Sequence, residues 1–383
     1  MKKYELKMPQ RIYSGEGALE NIRFILEKGV KKAAVFTDKG IADAGLLELP
    51  LHYIEESGIK AVIYDRIPAE PTCDQAQEVV EWFRSSGADF IVAVGGGSVI
   101  DAAKLASVLV TNEYGVRDLL DAPDLAVKRI RTLMIPTTAG TGAEATPNSI
   151  VSVPERKLKV GIVNDAMISD YVILDGRMTK KLPRKIAAAT GVDALAHAIE
   201  CFTSKKANPF SDLYALEALD LIINNIEKAC DEPEAEDARN KMLLASFYGG
   251  VAITASGTTA VHALSYPLGG RYHIPHGISN AIMLAPVLKF NEPYCRDLFA
   301  RAFDRVAKNH REITTEEKSK WLLDRITEIV KHLNIPSDLR EYDVPREDLD
   351  ILVKSGMEVQ RLLVNNMREV TEEDARRLYL EVL

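Results

Sequence analysis

Four apolar runs dominate the first part of the chain: KKAAVFTD (31–38), IKAVIYDRI (59–67), DFIVAVGGGS (89–98) and RTLMIPTT (131–138). Each reads as a strand buried on both faces rather than one with a wet side, and helical stretches such as CDQAQEVVEWFRSSG lie between them. That alternation predicts a parallel sheet covered by helices. Two further strand-like segments, VSVPERKLKVGIVND and YVILDG, follow before Pro183 closes the region. From Arg184 to Leu383 the patterning is helical, broken at ANP, DEPEAED and NIPSD. The expected architecture is an α/β domain with a parallel sheet over residues 1–184 and an all-helical (all-α) domain over 185–383. The charged segment REITTEEKSK (311–320) reads as a solvated loop or helix start.

Composition restricts the partners. A chain of 383 residues with 46% hydrophobic side chains is ample for two cores. A net charge of −8 argues against nucleic acid or anionic membrane, both of which reward a basic surface. Cys73, Cys201, Cys230 and Cys295 are far apart and form no C-x-x-C pair, so a reducing cytoplasm fits better than a disulfide framework. The N-terminus MKKYELKMPQRIYSG lacks an apolar export segment, and no run of about 18 apolar residues occurs anywhere. A soluble protein acting on small molecules is expected.

Two loops suit a phosphate. Gly95, Gly96, Gly97 and Ser98 stand between the strand DFIVAV and the helical run VIDAAKLASVLV. Glycines admit close backbone approach, and a helix N-terminus favours an anion. A Gly-rich turn without ligand is the alternative, and the pattern is neither G-x-G-x-x-G nor a Walker loop. PTTAGTGAE (136–144) follows the next strand and carries Thr137, Thr138 and Thr141. Paired loops at the C-terminal ends of parallel strands are where open α/β sheets bind nucleotides. Asp38 ends the first strong strand, where an acid either accepts from an adenosine ribose hydroxyl or caps a helix. Gly15-Glu16-Gly17 reads as a turn, and Lys159 reaches a phosphate or is simply exposed.

The helical half concentrates imidazoles. Four of the seven histidines fall between Gly191 and Asn280. In GVDALAHAIE, Asp193 and His197 are four apart and share one helical face. His262 lies in an apolar pattern stopping at Gly269 and Gly270, and His276 follows Pro275 where a helix of roughly Gly277 to Leu288 begins. One carboxylate with two or three imidazoles suits Fe(II), Zn(II) or Mn(II). A lone histidine on an apolar helix is otherwise a satisfied core residue, but a buried aspartate needs a partner.

These motifs together resemble the iron-containing (group III) alcohol dehydrogenases. The resemblance runs through PQRIYSGEGAL, TD at 37–38, GGGSVIDAAK, PTTAGTGAE, GVDALAHAIE and VHALSYPLGG…PHGISNA, in that order. It implies an N-terminal dinucleotide-binding α/β domain, a helical C-terminal domain, and a metal and nicotinamide meeting between them. On matching positions it implies metal ligands Asp193, His197, His262 and His276. It implies NAD contacts at Asp38, Gly95, Gly96, Gly97, Ser98, Asp101, Thr137, Thr138, Thr141 and Lys159, and oligomers built on dimers. Departures are visible. Tyr266 stands where many relatives have a histidine, Glu70 where an asparagine is common, and Ser169 where a proline is frequent. His273 is an additional imidazole, read with Tyr266 as a candidate for proton transfer or else as a turn residue.

The implied reaction is hydride transfer between NAD(H) and a small primary alcohol or aldehyde, with Fe(II), or Zn, as Lewis acid. The alternatives are a dehydroquinate-synthase-like lyase or a glycerol-dehydrogenase-like enzyme, which share the NAD and metal requirement. The lyase would need a Glu/His/His set where this chain has Asp with histidines. A nucleotide sensor without catalysis would lack an intact metal set.

Overall fold

The structure is a computed structural model and describes residues 3–27, 29–111, 113–156, 158–232, 234–308 and 313–383. Arg311 and Glu312 of the charged segment lie outside the described residues. The chain divides into two compact units. One is Lys7–Leu182; the other is Pro183–Leu383 with the stretch Met1–Leu6, of which residues 3–6 are described.

In the first unit, strands β1 (Arg11–Ser14), β2 (Lys32–Phe36), β3 (Lys60–Tyr64), β4 (Phe90–Gly95), β5 (Arg131–Pro136) and β8 (Tyr171–Leu174) form one parallel sheet in the order β1-β8-β5-β4-β2-β3. Helices α1 (Asn21–Leu26), α2 (Lys39–Asp43), α3 (Glu48–Glu56), α4 (Cys73–Ser86), α5 (Gly97–Val108) and α6 (Val116–Asp121) connect it. All six residues of β4 are buried, as its unbroken apolar run requires. One face packs Ile22, Ile25, Val35, Val92, Leu133 and Ile173 into a core. The chain runs outward from β2 to β3, then returns to β4 on the other side and continues to β5. The sheet order therefore reverses between β2 and β4, and Asp38 and the glycine turn stand at the strand ends on the two sides of that reversal, the position at which open α/β sheets bind ligands.

The strand-like segment VSVPERKLKVGIVND forms an antiparallel hairpin apart from the main sheet, β6 (Asn148–Val153) with β7 (Leu158–Val163). Its alternating burial marks a two-faced ribbon. The four-residue β1 is too short and too exposed to show in the sequence pattern, and it gains its place by pairing with β8.

The second unit is helical: α7 (Arg184–Phe202), α8 (Pro209–Asp231), α9 (Glu236–Ala255), α10 (Ala260–Tyr272), α11 (His276–Val306), α12 (Thr315–His332), α13 (Leu349–Met357), α14 (Gln360–Leu363) and α15 (Glu372–Val382). Every residue of α7 from Gly191 to Phe202 is buried, so this helix is the centre of the unit rather than a surface layer. Glycines set its closest approaches. A Cβ on Gly191 would lie 2.8 Å from Ile226 Cδ1 on α8, and one on Gly277 would lie 2.2 Å from the Ala189 carbonyl oxygen. The second crossing brings the first turn of α11, with His276, against α7. The helix expected to stop at Gly269 and Gly270 continues to Tyr272 and ends at His273, whose φ of 55° is left-handed. The next helix runs far past Leu288, through Pro286 and Pro293, because packing against α7 and α12 outweighs the backbone bonds the prolines remove.

Candidate functional site

Three histidines converge on one carboxylate oxygen. Asp193 Oδ1 lies 3.6 Å from His262 Nε2, 3.6 Å from His276 Nε2 and 4.0 Å from His197 Nε2. Asp193 and His197 come from successive turns of α7, His262 from the first turn of α10 and His276 from the first residue of α11. The rings of His197 and His262 stack at 4.5 Å. Asp193 and His262 are each 2% exposed. Donor atoms of Asp193, His262 and His276 all lie within 4.8 Å of one another. Metal–ligand bonds of about 2.0–2.1 Å in a tetrahedral shell place donors roughly 3.3 Å apart, so the two 3.6 Å separations from Asp193 are already near those of a closed shell.

The electrostatics fit a cation. Burial alone would raise the Asp193 carboxyl, but His197, His276 and His262 hold it well below the usual range. Asn280 Nδ2 donates to Asp193 Oδ1 at 2.6 Å and stands 3.1 and 3.2 Å from the Nε2 atoms of His262 and His276. The amide nitrogen thus stands among the same three atoms, placing its partial positive charge where a metal ion's charge would be satisfied. Ser265 Oγ donates to Asn280 Oδ1 and fixes that amide's orientation.

Behind the cluster stands a residue the sequence reading passed over. Glu200, 1% exposed, meets His262 Nδ1 with Oε2, while Oε1 accepts from the Thr259 hydroxyl at 2.7 Å and the N–H groups of Thr259 and Val261 at 3.0 and 2.8 Å. Burial opposes a charged imidazole at His262, yet Glu200 and Asp193 outweigh it and push its pKa up to about 9. A metal ion binding at Nε2 would displace that atom's proton, while Glu200 keeps the one on Nδ1, the arrangement a metal-ligating histidine needs. The signal was present: a glutamate three residues after His197 in an apolar helix has to be partnered. Asn280 was similarly visible, four residues after His276 and so on the same helical face.

Tyr266 flanks the cluster, its ring 6.0 Å from that of His276 and 6.5 Å from that of His262. Burial raises its phenol above the ordinary value, so it is a neutral hydroxyl. His273 is exposed, and no hydrogen bond from its ring is found among the described residues.

In the sheet unit the two loops lock together. Gly95 ends β4, Gly96 precedes α5 and Gly97 begins it. A Cβ on Gly97 would come within 3.1 Å of the Thr141 side chain, and one on Gly96 within 3.4 Å of Thr138. Glycine at these positions therefore lets the two threonines sit against the α5 N-terminus, a cradle that side chains would fill. Thr137 donates its N–H to Gly95 O at 3.0 Å, and its buried hydroxyl has no partner among the described residues. Ser98 Oγ accepts from the Glu70 N–H at 3.0 Å, and the Glu70 carboxylate pairs with Lys159. Asp38 caps α2, accepting from the Ile41 N–H at 2.9 Å, and is partly exposed. Asp101 is turned inward: its carboxylate accepts from Ile150 N–H at 3.0 Å and lies 3.6 Å from the fully buried Lys104.

Residues 9–176 match the family described as iron-containing alcohol dehydrogenase, and residues 187–383 match its C-terminal part. The chain belongs to the iron-containing alcohol dehydrogenase family. Within it, the chain is 32% identical over 375 residues to long-chain-alcohol dehydrogenase 1 of Geobacillus thermodenitrificans, covering 97% of this chain and 94% of that one. It is 30% identical to the NAD-dependent methanol dehydrogenase of Bacillus methanolicus, covering 92% of each. The fold superposes on a crystal structure of 1,3-propanediol oxidoreductase with a TM-score of 0.92 at 28% identity, covering 100% of each chain. The parallel-sheet unit and the helical unit are thus those of iron-containing alcohol dehydrogenases, and the chain is an oxidoreductase of that family. None of the described helices is long and apolar enough to cross a membrane.

Proposed function

We propose that this protein is a cytoplasmic NAD(H)-dependent, metal-containing alcohol dehydrogenase or aldehyde reductase. It moves a hydride between the nicotinamide and a small primary alcohol or aldehyde, as a homodimer or larger homo-oligomer. The observation that carries the reading is the convergence of Asp193 Oδ1 with the Nε2 atoms of His262 and His276 in a buried helical core, with His197 beside them. A divalent ion held by these four residues, Fe(II) first and Zn(II) as the other candidate, supplies Lewis-acid polarisation of a substrate oxygen. NAD supplies the hydride acceptor or donor.

The chain's own residues do the rest. Glu200 fixes the ring of His262, and Asn280 holds Asp193 in register through Ser265. Tyr266 offers a neutral hydroxyl beside the ligands, and exposed His273 is assigned to exchanging a proton with solvent. In the sheet unit, the Gly95–Ser98 turn with Thr137, Thr138 and Thr141 takes the pyrophosphate. Asp38 accepts from a ribose hydroxyl, Lys159 donates to the cofactor beside Glu70, and Asp101 and Lys104 underpin the turn from inside.

The deciding experiment is a panel of short alcohols and aldehydes assayed with NADH and NAD+ on protein of measured metal content. Activity should track bound metal and vanish on chelation. Full turnover by protein shown metal-free by elemental analysis would overturn the reading.

A further inference from the structure

In the sheet unit, the loop between β3 and α4 is stitched both to the helix that follows the glycine turn and to the β6–β7 hairpin. Glu70 donates its N–H to Ser98 Oγ, in the first turn of α5, at 3.0 Å. Its carbonyl accepts from the Ser152 hydroxyl at 3.3 Å, and the Pro71 carbonyl accepts from the Ser152 N–H at 2.9 Å. Ser152 stands on β6 directly opposite Lys159 on β7. The Glu70 carboxylate completes the circuit by pairing with the Lys159 ammonium. One residue therefore joins the α5 N-terminus to the hairpin, by its backbone on one side and by its charge on the other.

Glutamate is a costly residue for that position. Its φ of 52° lies in the left-handed region, which glycine and asparagine enter more readily. Asparagine would keep the backbone bonds at lower conformational cost, but it is one methylene shorter and carries no charge. What glutamate adds is a carboxylate on Lys159. The Lys159 side chain is only 18% exposed, and among the described residues Glu70 is the one carboxylate paired with it. Its positive charge is thus offset before any anion reaches the turn. The attraction for phosphate then falls mainly to the glycine N–H groups and the helix dipole.

We propose that Glu70 sets the affinity of the turn for the cofactor pyrophosphate by neutralising Lys159, so that NAD(H) is held loosely and released quickly. The inference rests on the reading of the Gly95–Ser98 turn as the pyrophosphate site and deepens it.

The test is binding without turnover. Glu70→Gln keeps the length of the side chain and an acceptor for Lys159, and removes only the charge. ADP-ribose, followed by calorimetry, and NADH, followed by its fluorescence, should bind this variant about fivefold or more tightly than the unmodified protein. The gain should shrink as salt rises from about 0.1 to 1 M, where the screening length falls from roughly 10 to 3 Å. It should vanish in a Lys159→Met background, because no cation is then left to release. NADH dissociation measured by stopped flow should slow in Glu70→Gln by a similar factor. Binding by Glu70→Gln within twofold of the unmodified protein, or weaker, would overturn the proposal and leave the oxidoreductase reading standing. A gain that persists with Lys159→Met would overturn it too, since Glu70 would then act by repelling the cofactor itself. Failure of the unmodified protein and both variants to bind either nucleotide would remove the pyrophosphate reading as well.

Discussion

Glu200 grips His262 from behind, one carboxylate oxygen on the ring's Nδ1 and the other on the backbone N–H groups that open α10. The same carboxylate therefore orients a ligand ring and anchors the helix that carries it. Glu200→Gln keeps the shape but weakens the hold on Nδ1, and metal affinity should fall by about 10–100-fold. Competition against a chelator measures this directly. Affinity within twofold of the unmodified protein would reduce Glu200 to a helix anchor.

The cofactor prediction is sharpened by the cap at Asp38. NADH should be preferred over NADPH by about tenfold or more in kcat/KM, because a carboxylate repels a 2′-phosphate. Asp38→Asn keeps an acceptor for the Ile41 N–H and removes the charge, so it separates cofactor choice from helix capping. The preference should narrow while the melting temperature holds. Equal use of both cofactors by the unmodified protein would sink the assignment.

What the sequence made legible follows a physical line. β2, β4 and β5 are buried on both faces, so their continuous apolar runs announce strands without any tertiary information. β1 and the β6–β7 hairpin are half-exposed and depend on their neighbours for pairing, which single-chain periodicity does not carry. Asp193 and His197 could be paired from their spacing along one helix. The meeting of His276 with Asp193 depends on the contact between Gly277 and Ala189, a crossing that no spacing reveals. Tyr266 is legible as a departure, but the ring of His276 that it faces is brought to it only by the packing of α10 against α11.

Glu144 supplies a pH-dependent cost. It is 2% exposed, its Oε1 has no hydrogen-bond partner among the described residues, and burial pushes its pKa up to about 7 despite nearby Lys104. In the unfolded chain it titrates near 4.5, so between about 4.5 and 7 the folded state holds a proton that the unfolded state has lost. Stability from this group therefore declines as pH rises through that window and stays reduced above it. Glu144→Gln removes the dependence and should raise stability at pH 8 by roughly 1–3 kcal/mol, with little gain near pH 4.5. Denaturant unfolding at the two pH values checks the difference. A variant equally destabilised at both would mean that the carboxylate is partnered when ionised.

His273 tests whether an exposed imidazole near a ligand does chemistry or only ends a helix. Its φ of 55° places it in the left-handed region at the end of α10, where glycine or asparagine is usual. Substitution by a residue that dislikes this conformation would confuse strain with function. Asparagine tolerates it, so His273→Asn removes the imidazole and preserves the backbone. Metal content should be retained, since the clustered donors belong to Asp193, His262 and His276, and the melting temperature should hold. If His273 hands the proton to solvent, kcat should fall by about a hundredfold, the lower end of the range for a lost acid–base group, and added imidazole should recover part of the loss. Unchanged kcat in a metal-replete variant would leave His273 as a helix cap, and loss of metal would place its ring in the coordination shell.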